Sequence, residues 1–380
     1  MTRRRAATGS DEEPRPGGLE GLNPDDPGVR LLARAVAQEE PEGLLLVHCG
    51  ELPGLRPGAT RLILDVRERT GSAHRCVPDV DPLPDELSTA SFSAALVWPR
   101  AHLGKDFSAA CLARGALSLR PGGRLYCAAR KQKGGKSLGR TMKALLGEDA
   151  VQVEARERGY HLWVGERGPG FDEALARELV GRRYELEDPI LRELTLASRP
   201  GVFSRRELDA GTRALLGVAE AVAAQWEGLG LKPLRVLDLC AGVGPLALWS
   251  AQRWPQARVL AVESNLRACA MLRENAARNG LDERVSVLEH DAMPAVDTLE
   301  GALRGFAGSV DLALLNPPTH ADPETLRRLF DLRAWLAPNA PMLLVVNRPG
   351  RSAELLQELG ASVDGGERDG YFILRAVFGR

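Results

Sequence analysis

The chain alternates between short apolar runs and longer segments whose apolar residues recur at helical spacing. Short apolar runs bounded by turn residues are typical of buried strands, and strands alternating with amphipathic helices predict parallel sheets covered by helices. Ser204 and Glu207 fit a capping box, which predicts that a helix begins there. The predicted strands are 44–48, 61–66, 94–98, 125–129, 160–164, 234–239, 259–262, 285–288, 310–316, 342–346 and 371–378. The predicted helices are 29–39, 107–119, 136–146, 171–180, 204–226, 266–279, 323–336 and 352–359, with a further helix that begins at Pro245.

This pattern occurs twice in the 380 residues, a length that favours two domains. Residues 95–102 align with 313–320, and residues 158–163 align with 369–374. We therefore expect an α/β protein with two tandem Rossmann-like domains. The predicted division is a disordered tail over 1–27, a first domain over 28–166, a linker over 167–199 and a second domain over 200–380.

The first copy of the repeat lacks polar residues that the second copy has. Trp98 stands where the second copy has Asn316, and Cys-Gly-Glu-Leu at 49–52 replaces a Gly-x-Gly turn. The spacing from Trp98 to Arg130 equals that from Asn316 to Arg348, which aligns the strands that follow. An indole nitrogen donates a hydrogen bond and accepts none, so it does not replace an amide carbonyl. We expect the first domain to be a degenerate, catalytically inactive copy.

Composition narrows the class of protein. Hydrophobic residues make up 44% of the chain and charged residues 27%, as in soluble globular proteins. No apolar run reaches the ~20 residues of a membrane-spanning helix, and no apolar segment of a secretory signal follows the basic start. The six cysteines include no Cys-x-x-Cys pair, so we expect no metal site, no disulfide framework and a cytoplasmic location. The net charge of −1 limits any nucleic-acid surface to a local patch.

A cofactor motif follows the first strand of the second domain. A glycine turn after such a strand exposes backbone amides at a helix N-terminus, and an acid closing the second strand is placed for a ribose diol. The third glycine of the NAD motif is replaced by Ala247, and a further acid, Asp291, is placed to accept from an adenine amino group. Both features favour S-adenosylmethionine (SAM) over NAD. The predicted cofactor residues are Asp238, Cys240, Gly242, Gly244, Glu263, Asp291, Ala292 and Asn316.

The fourth strand of the second domain ends at Asn316-Pro317-Pro318. Proline has no N–H to continue a ladder, so Asn316 lies at the carboxyl edge of the sheet, where open α/β sheets bind ligands. The Asn316 side-chain carbonyl and the Pro317 backbone carbonyl are placed to accept the two N–H groups of an amino group on a flat ring. This positioning would direct the nitrogen lone pair at the methyl donor. Asn316, Pro317 and Pro318 are the predicted catalytic residues, and an ordinary strand-ending turn is the alternative.

These motifs resemble those of class I SAM-dependent methyltransferases. From about residue 40 onward the chain is similar to the ribosomal RNA guanine-N2 methyltransferases of the RsmC type. The resemblance is carried by Pro-Gly-Val-Phe-Ser-Arg at 200–205, Leu-Asp-x-Gly at 208–211, Val-Leu-Asp-Leu-Cys-Ala-Gly-Val-Gly at 236–244, Glu263, Asn275, Asn279, Gly280 and Asn-Pro-Pro-Thr-His at 316–320. It implies methyl transfer from SAM to the N2 amino group of a guanine in 16S rRNA of the small subunit, by a monomer without a metal.

Two positions depart from the family pattern and bear on substrate binding. The family has Gly where Cys240 stands and an aromatic residue where Thr319 stands. Without that ring, Phe203, Tyr371 or Phe372 are candidates to stack on the target base. The predicted substrate residues are Phe203, Thr319 and His320 near the base, and Lys133 and Lys136 on the RNA backbone, within a basic segment at 124–143.

Other functions stay open at this point. A related enzyme would methylate a large-subunit guanine, an adenine N6 or a protein glutamine. A protein of a different class would be a non-catalytic RNA-binding assembly factor. The retained Asp238, Glu263 and Asn316 argue against an inactive module, and binding of SAM discriminates between the two classes.

Overall fold

A computed structural model describes residues 23–69, 71–81, 90–203, 206–298, 300–318 and 321–379, and for Lys133 the backbone only. The first half contains α1 (Pro27–Ala35), β1 (Leu44–Val47), β2 (Thr60–Ile63), β3 (Arg75–Pro78), β4 (Phe92–Val97), α2 (Lys105–Ser118), β5 (Leu119–Arg130), α3 (Lys136–Leu146), β6 (Val151–Glu157), β7 (Tyr160–Glu166) and α4 (Glu173–Gly181). A hairpin of β8 (Tyr184–Leu186) and β9 (Leu196–Ser198) follows. The second half contains α5 (Ala210–Gly228), β10 (Arg235–Leu239), α6 (Pro245–Arg253), β11 (Arg258–Glu263), α7 (Leu266–Arg278), β12 (Val285–Glu289), α8 (Gly301–Arg304), β13 (Leu312–Leu315), α9 (Pro323–Phe330), β14 (Pro341–Val346), α10 (Pro349–Glu358), β15 (Ala361–Arg368) and β16 (Tyr371–Phe378).

Two seven-stranded sheets with the same topology confirm the predicted fold class and the internal repeat. The strand orders are β3-β2-β1-β4-β5-β7-β6 and β12-β11-β10-β13-β14-β16-β15. Pairings up to β5 and β14 are parallel, whereas β7 and β16 run antiparallel to their neighbours. The sheets are therefore mixed at one edge. The sequence missed the edge strands β3, β6 and β15, because edge strands with many exposed residues form no apolar run.

The strand register assigns equivalent residues in the two copies. Val47 pairs with Val97 as Leu239 pairs with Leu315, so Trp98 and Asn316 follow equivalent strands, as predicted. In the next strand, Val97 pairs with Cys127 and Leu315 with Leu344. The alignment of Arg130 with Arg348 by equal spacing is therefore wrong by one residue, and Asn347 occupies the position of Arg130.

The largest differences from the predicted helix boundaries are at the start of α5 and the end of α9. Helix α5 begins at Ala210, where the Asp209 side chain caps it by accepting from the Thr212 amide (2.9 Å). The capping box at Ser204 was wrong as a helix start, because Asp209, an equally good cap residue, makes the cap directly before Ala210. Ser204 itself lies outside the described residues. Helix α9 ends at Phe330 instead of 336.

The predicted tail and linker have partly regular structure. Residues 1–22 of the tail lie outside the described residues, whereas Asp26 caps α1 by accepting from the Gly28 amide (2.7 Å). In the linker, Leu179 and Val180 of α4 join the core of the first domain, and Leu186 and Leu196 of the hairpin join the core of the second. The connection is thus packed into both domains.

The first domain differs from the second at the carboxyl edge of its sheet. Residues 48–59, all described, contain no helix, whereas α6 follows the equivalent strand of the second domain. Gly50 is therefore not followed by a helix N-terminus that would attract a ligand. Trp98 stacks on Tyr160 (ring centroids 6.3 Å apart), and the side chain of Tyr160 donates to Asp26 (2.9 Å). These contacts fill the space that corresponds to the Asn316 site.

The two domains meet at the ends of β2 and β11 through equivalent loops. The Leu266 amide donates to the Leu64 carbonyl (2.8 Å), and the Val66 amide donates to the Ser264 carbonyl (3.0 Å). Because Leu62 and Val262 are equivalent by register, these two bonds are related by a local twofold axis. The first domain therefore holds the loop that follows Glu263. Among the described helices none is long and apolar enough to cross a bilayer.

Candidate active site

Asp238 lies in β10 and is fully buried. Its Oδ2 accepts from the Ala247 amide in the first turn of α6 (2.8 Å), whereas its Oδ1 accepts from no described residue. Burial raises the pKa of Asp238 to about 8, with the Glu263 charge adding to this effect and the bond from Ala247 opposing it. An unpartnered buried carboxylate oxygen favours a cationic or hydrogen-bond-donating ligand at this point.

The turn after β10 has left-handed backbone at Cys240, Gly242 and Gly244, with φ of 64°, 56° and 96°. At Gly244 an added Cβ would lie 2.8 Å from Leu272 Cγ, so packing against α7 requires glycine there. At Gly242 an added Cβ would meet nothing within 4 Å. Gly242 therefore borders open space at the sheet edge, as the cofactor prediction requires. Cys240 keeps a left-handed conformation that glycine adopts without strain.

Glu263 closes β11 and organises the neighbouring backbone. Its Oε2 accepts from the Gly242 amide (2.8 Å) and its Oε1 from the Asn265 amide (2.7 Å). Burial raises the pKa of Glu263, and these backbone bonds oppose the rise. The bond to Gly242 ties the acid after the second strand to the glycine turn after the first, which brings these predicted cofactor residues together.

Asp291 and Ala292 lie beyond β12 at the same edge. Both carboxylate oxygens of Asp291 accept from Arg328 Nη2 (3.0 Å each), and the Ala292 amide donates to His290 Nδ1 (3.3 Å). The two groups predicted to bind adenine thus have protein partners, and Arg328 is half-exposed. That Asp291 and Ala292 bind adenine stays a prediction. It requires each group either to exchange its present partner for adenine or to form hydrogen bonds with both.

Asn316 follows β13 next to the glycine turn, because β10 and β13 are paired. Its Nδ2 donates to Asp209 Oδ2 (2.9 Å) and to Thr212 Oγ1 (2.8 Å). A carboxylate only accepts, so these bonds fix the amide orientation and leave the Oδ1 carbonyl for a ligand. Sequence reasoning assigned no role to Asp209 and Thr212. The Leu-Asp-x-Gly motif at 208–211 was the available signal, but the contact spans 107 residues of sequence.

A cavity of about 380 Å³ opens beside Asn316. Its lining includes Phe203, Asn316, Pro317, Pro318, Arg351 and Tyr371. Phe203 is 66% exposed, a high value for a large apolar side chain. The size and the exposed ring suit a flat aromatic ligand. Arg348 and Arg351 also line the cavity and were missed by the sequence reasoning.

The other predicted substrate residues do not join this cavity in the described structure. Thr319 and His320 lie outside the described residues, as does the side chain of Lys133. Lys136 is exposed at the start of α3, after one turn of π-helix at Lys131–Gly135 in the first domain. A second cavity, of about 710 Å³, lies at the opposite edge of the second sheet and holds no predicted site residue. In the described part of the chain no cluster of side chains suits a metal ion.

Comparisons with known proteins match the domain that carries these residues. Residues 193–375 match the family model "Methyltransferase small domain". The Ribosomal RNA small subunit methyltransferase C of Pseudomonas aeruginosa (strain LESB58) is 29% identical over 289 residues, which covers 75% of this chain and 78% of the relative. The Ribosomal RNA large subunit methyltransferase G of Pseudomonas paraeruginosa is 34% identical, over 44% of this chain and 40% of the relative.

A solved structure is similar over nearly the full length of both chains. The T. thermophilus 16S rRNA N2 G1207 methyltransferase (RsmC), in complex with AdoMet and guanosine, superimposes with a TM-score of 0.74 and 26% identity. The superposition covers 93% of this chain and 92% of that one. It therefore includes both sheets, the degenerate one and the one that carries Asn316. The chain is therefore similar to the RsmC-type methyltransferases over both of its tandem domains, and its residues 193–375 match a methyltransferase domain.

Proposed function

We propose that this protein transfers the methyl group of SAM to the exocyclic N2 amino group of a guanine in ribosomal RNA. The observation that carries the proposal is the Asn316 carbonyl, fixed by Asp209 and Thr212 beside a cavity of nucleobase size. The similar T. thermophilus enzyme is described as a guanine-N2 methyltransferase of 16S rRNA in complex with AdoMet and guanosine.

The residues at this edge fit SAM. Asp238 Oδ1, buried without a partner among the described residues, would accept from the α-ammonium of the methionine part. The space at Gly242 admits close approach to the backbone, and Glu263 is placed for the ribose diol. SAM supplies a methyl group on a sulfonium, which makes the methyl an electrophile without any metal.

The protein acts on the nucleophile mainly by positioning. An exocyclic amino group is a weak nucleophile, because its lone pair is delocalised into the ring. The Asn316 Oδ1 and Pro317 carbonyls would each accept one N–H, which holds the lone pair toward the cofactor site. Both acceptors also stabilise the positive charge that develops on nitrogen. The proton is acidic after transfer, so no strong base is required.

We extend the proposal to the small-subunit rRNA as substrate, in the cytoplasm, with the protein acting as a monomer. The small-subunit relative matches 75% of this chain, whereas the large-subunit relative matches only 44%. A match over 75% of the chain extends into the degenerate domain, because the second domain alone makes up less than half of the chain. Lys133 and Lys136 of that domain are proposed to contact the RNA backbone.

Binding of SAM at pH 7 is expected to release about one proton, because Asp238 has a pKa of about 8 in the free protein. At pH 7 the carboxyl is mostly protonated, and pairing with a cation favours its charged form, so the bound pKa is lower. The measurement is isothermal titration in two buffers with different ionisation enthalpies. Asp238→Asn removes the ionisable group and should release no proton. Equal release by both proteins would contradict this role of Asp238.

Phe203→Ala is expected to raise KM for the RNA about tenfold, since a stacked base contributes ~1–3 kcal/mol. The affinity for SAM should not change. Leu229→Ala is the matched control, because Leu229 is equally exposed (66%) at the opposite edge of the sheet. A KM for Phe203→Ala equal to that of the control would exclude Phe203 as the stacking ring.

The proposed function is tested with the purified protein, labelled SAM and either small-subunit rRNA or the small subunit. Mass spectrometry of the digested RNA should locate one N2-methylguanine, and the same nucleotide should lose its methyl group in a deletion strain. Methyl transfer to adenine, to large-subunit RNA or to protein would replace this proposal with a related one. Failure to bind SAM would favour an inactive RNA-binding factor.

A further inference from the structure

Arg67 and Arg267 occupy equivalent positions in the two copies. The register makes Ile63 equivalent to Glu263, so Asp65 corresponds to Asn265 and Arg67 to Arg267. Asp65 and Asn265 also form a backbone bridge with each other across the domain interface. Each domain therefore presents one of the two arginines to the other domain across the local twofold axis.

Arg267 of the second domain reaches into the degenerate site of the first. Its guanidinium donates to Asp79 Oδ2 (2.7 Å) and lies over the Phe107 ring (5.2 Å from the centroid). Asp79 also accepts from His48, which is equivalent to Cys240. The carboxyl edge of the first sheet is thus occupied by an arginine from the partner domain.

Arg67 of the first domain lies on the loop that meets the second domain. Asp65 holds its guanidinium through two bonds, Nε to Oδ1 and Nη2 to Oδ2, both 2.8 Å. Asp65 itself accepts from Ser264 Oγ (2.9 Å), directly after Glu263. Arg67 is thereby fixed to the loop of the ribose-binding acid, and its side chain is still 46% exposed.

The charges at this edge place Arg67 near three predicted cofactor residues. The bond to Asp65 raises the pKa of Arg67, and the carboxylates of Asp291 and Glu263 add to this effect. Burial raises the pKa of the Cys240 thiol, and the Arg67 charge opposes that rise. The guanidinium thus lies within electrostatic reach of Asp291, Glu263 and Cys240.

We propose that Arg67 of the degenerate domain forms a wall of the SAM site, covering the adenosine part that lies between Glu263 and Asp291. A guanidinium presents a flat cationic face to an adenine ring and N–H donors to ribose oxygens. The first domain therefore completes the cofactor site of the second, which gives the inactive copy a direct part in the reaction. This inference rests on the proposed use of SAM at this edge.

The test is the affinity of the full-length protein for SAM and for S-adenosylhomocysteine, measured by isothermal titration. Arg67→Ala is expected to weaken both about tenfold, the size of one desolvated cation–π contact. Arg67→Lys keeps the positive charge but lacks the planar guanidinium, so it should bind both ligands more tightly than Arg67→Ala and more weakly than the wild type. Arg69→Ala is the control, because Arg69 lies on the same loop and also bridges the domains, through Glu289 (2.8 Å). It should bind SAM as the wild type does.

In steady-state assays Arg67→Ala should raise KM for SAM and leave kcat and KM for RNA unchanged. Thermal melting without ligand checks that the variant is folded. Wild-type affinity in a folded Arg67→Ala protein would overturn the inference and leave the proposed function standing. An equal loss in Arg69→Ala would also overturn it, since the effect would then belong to the domain interface. Absence of SAM binding by the wild type would remove the proposed function together with the inference.

Discussion

Asn316→Ala is expected to lower kcat by about 10²–10³-fold, the loss seen when one preorganised polar group at a reacting centre is removed. Asn316 Oδ1 is proposed to orient the amino group, and alanine leaves that N–H without its acceptor in a desolvated cavity. Any loss of affinity for SAM should be much smaller than the loss of kcat, because Asp238, Gly242 and Glu263 remain to bind the cofactor. The measurement is single-turnover methylation together with titration of SAM.

Asn279→Ala is the control for this substitution. The Asn279 side chain bonds only to the backbone of Thr195 and Asn275 in the described structure, and it lies outside the cavity beside Asn316. It should keep the wild-type kcat at a temperature where it is folded. If Asn316→Ala turned over at the wild-type rate, positioning by this side chain would have no place in the mechanism.

Arg267→Ala is expected to lower the free energy of unfolding by about 3–5 kcal/mol, as when one partner of a buried ion pair is removed. Arg267 and Asp79 are both fully buried, and Arg267 also donates to the Asp79 and Pro200 carbonyls. Alanine leaves the Asp79 carboxylate without its main countercharge between the domains. Urea denaturation followed by fluorescence gives the change in midpoint.

Arg273→Ala on the same helix is the matched control. Its ion pair with Glu289 is half-exposed, so its loss should cost less than about 1 kcal/mol. Equal midpoints for the two variants would show that the buried pair does not hold the domains together.

The effect of Arg267→Ala should depend on pH in a defined direction. Burial alone would raise the pKa of Asp79, but Arg267, with His48 and Arg114, holds it well below its usual range. A depressed carboxyl pKa contributes stability that is present above the unfolded pKa of about 3.9 and is lost as the pH falls below it. Without Arg267 the pKa of Asp79 rises, so the difference between wild type and variant should be largest near neutral pH and shrink as the pH falls.

The central strands were predictable because they are buried on both faces. Every residue of β1, β13 and β14 is buried, so each strand appears in the sequence as an uninterrupted apolar run. The edge strand β15 is mostly exposed and contains two adjacent glycines, and it left no such run. The start of α5 was misplaced because Ser204 and Asp209 are both suitable N-cap residues in the sequence. Only the folded structure shows that Asp209 is the cap.

By itself, the sequence determined the fold class, the repeat and the set of residues that end the parallel strands. Strand ends are encoded locally, by an apolar run that stops at a polar or turn residue, and parallel pairing then brings Asp238, Glu263 and Asn316 to one edge. Only the tertiary structure decided how Asn316 is oriented, because Asp209 lies 107 residues away in sequence. Only the tertiary structure placed Arg67 near the carboxyl edge of the second sheet and Arg267 at the equivalent edge of the first sheet. Contacts across a domain interface depend on the packing of two complete sheets, which no local pattern of residues records.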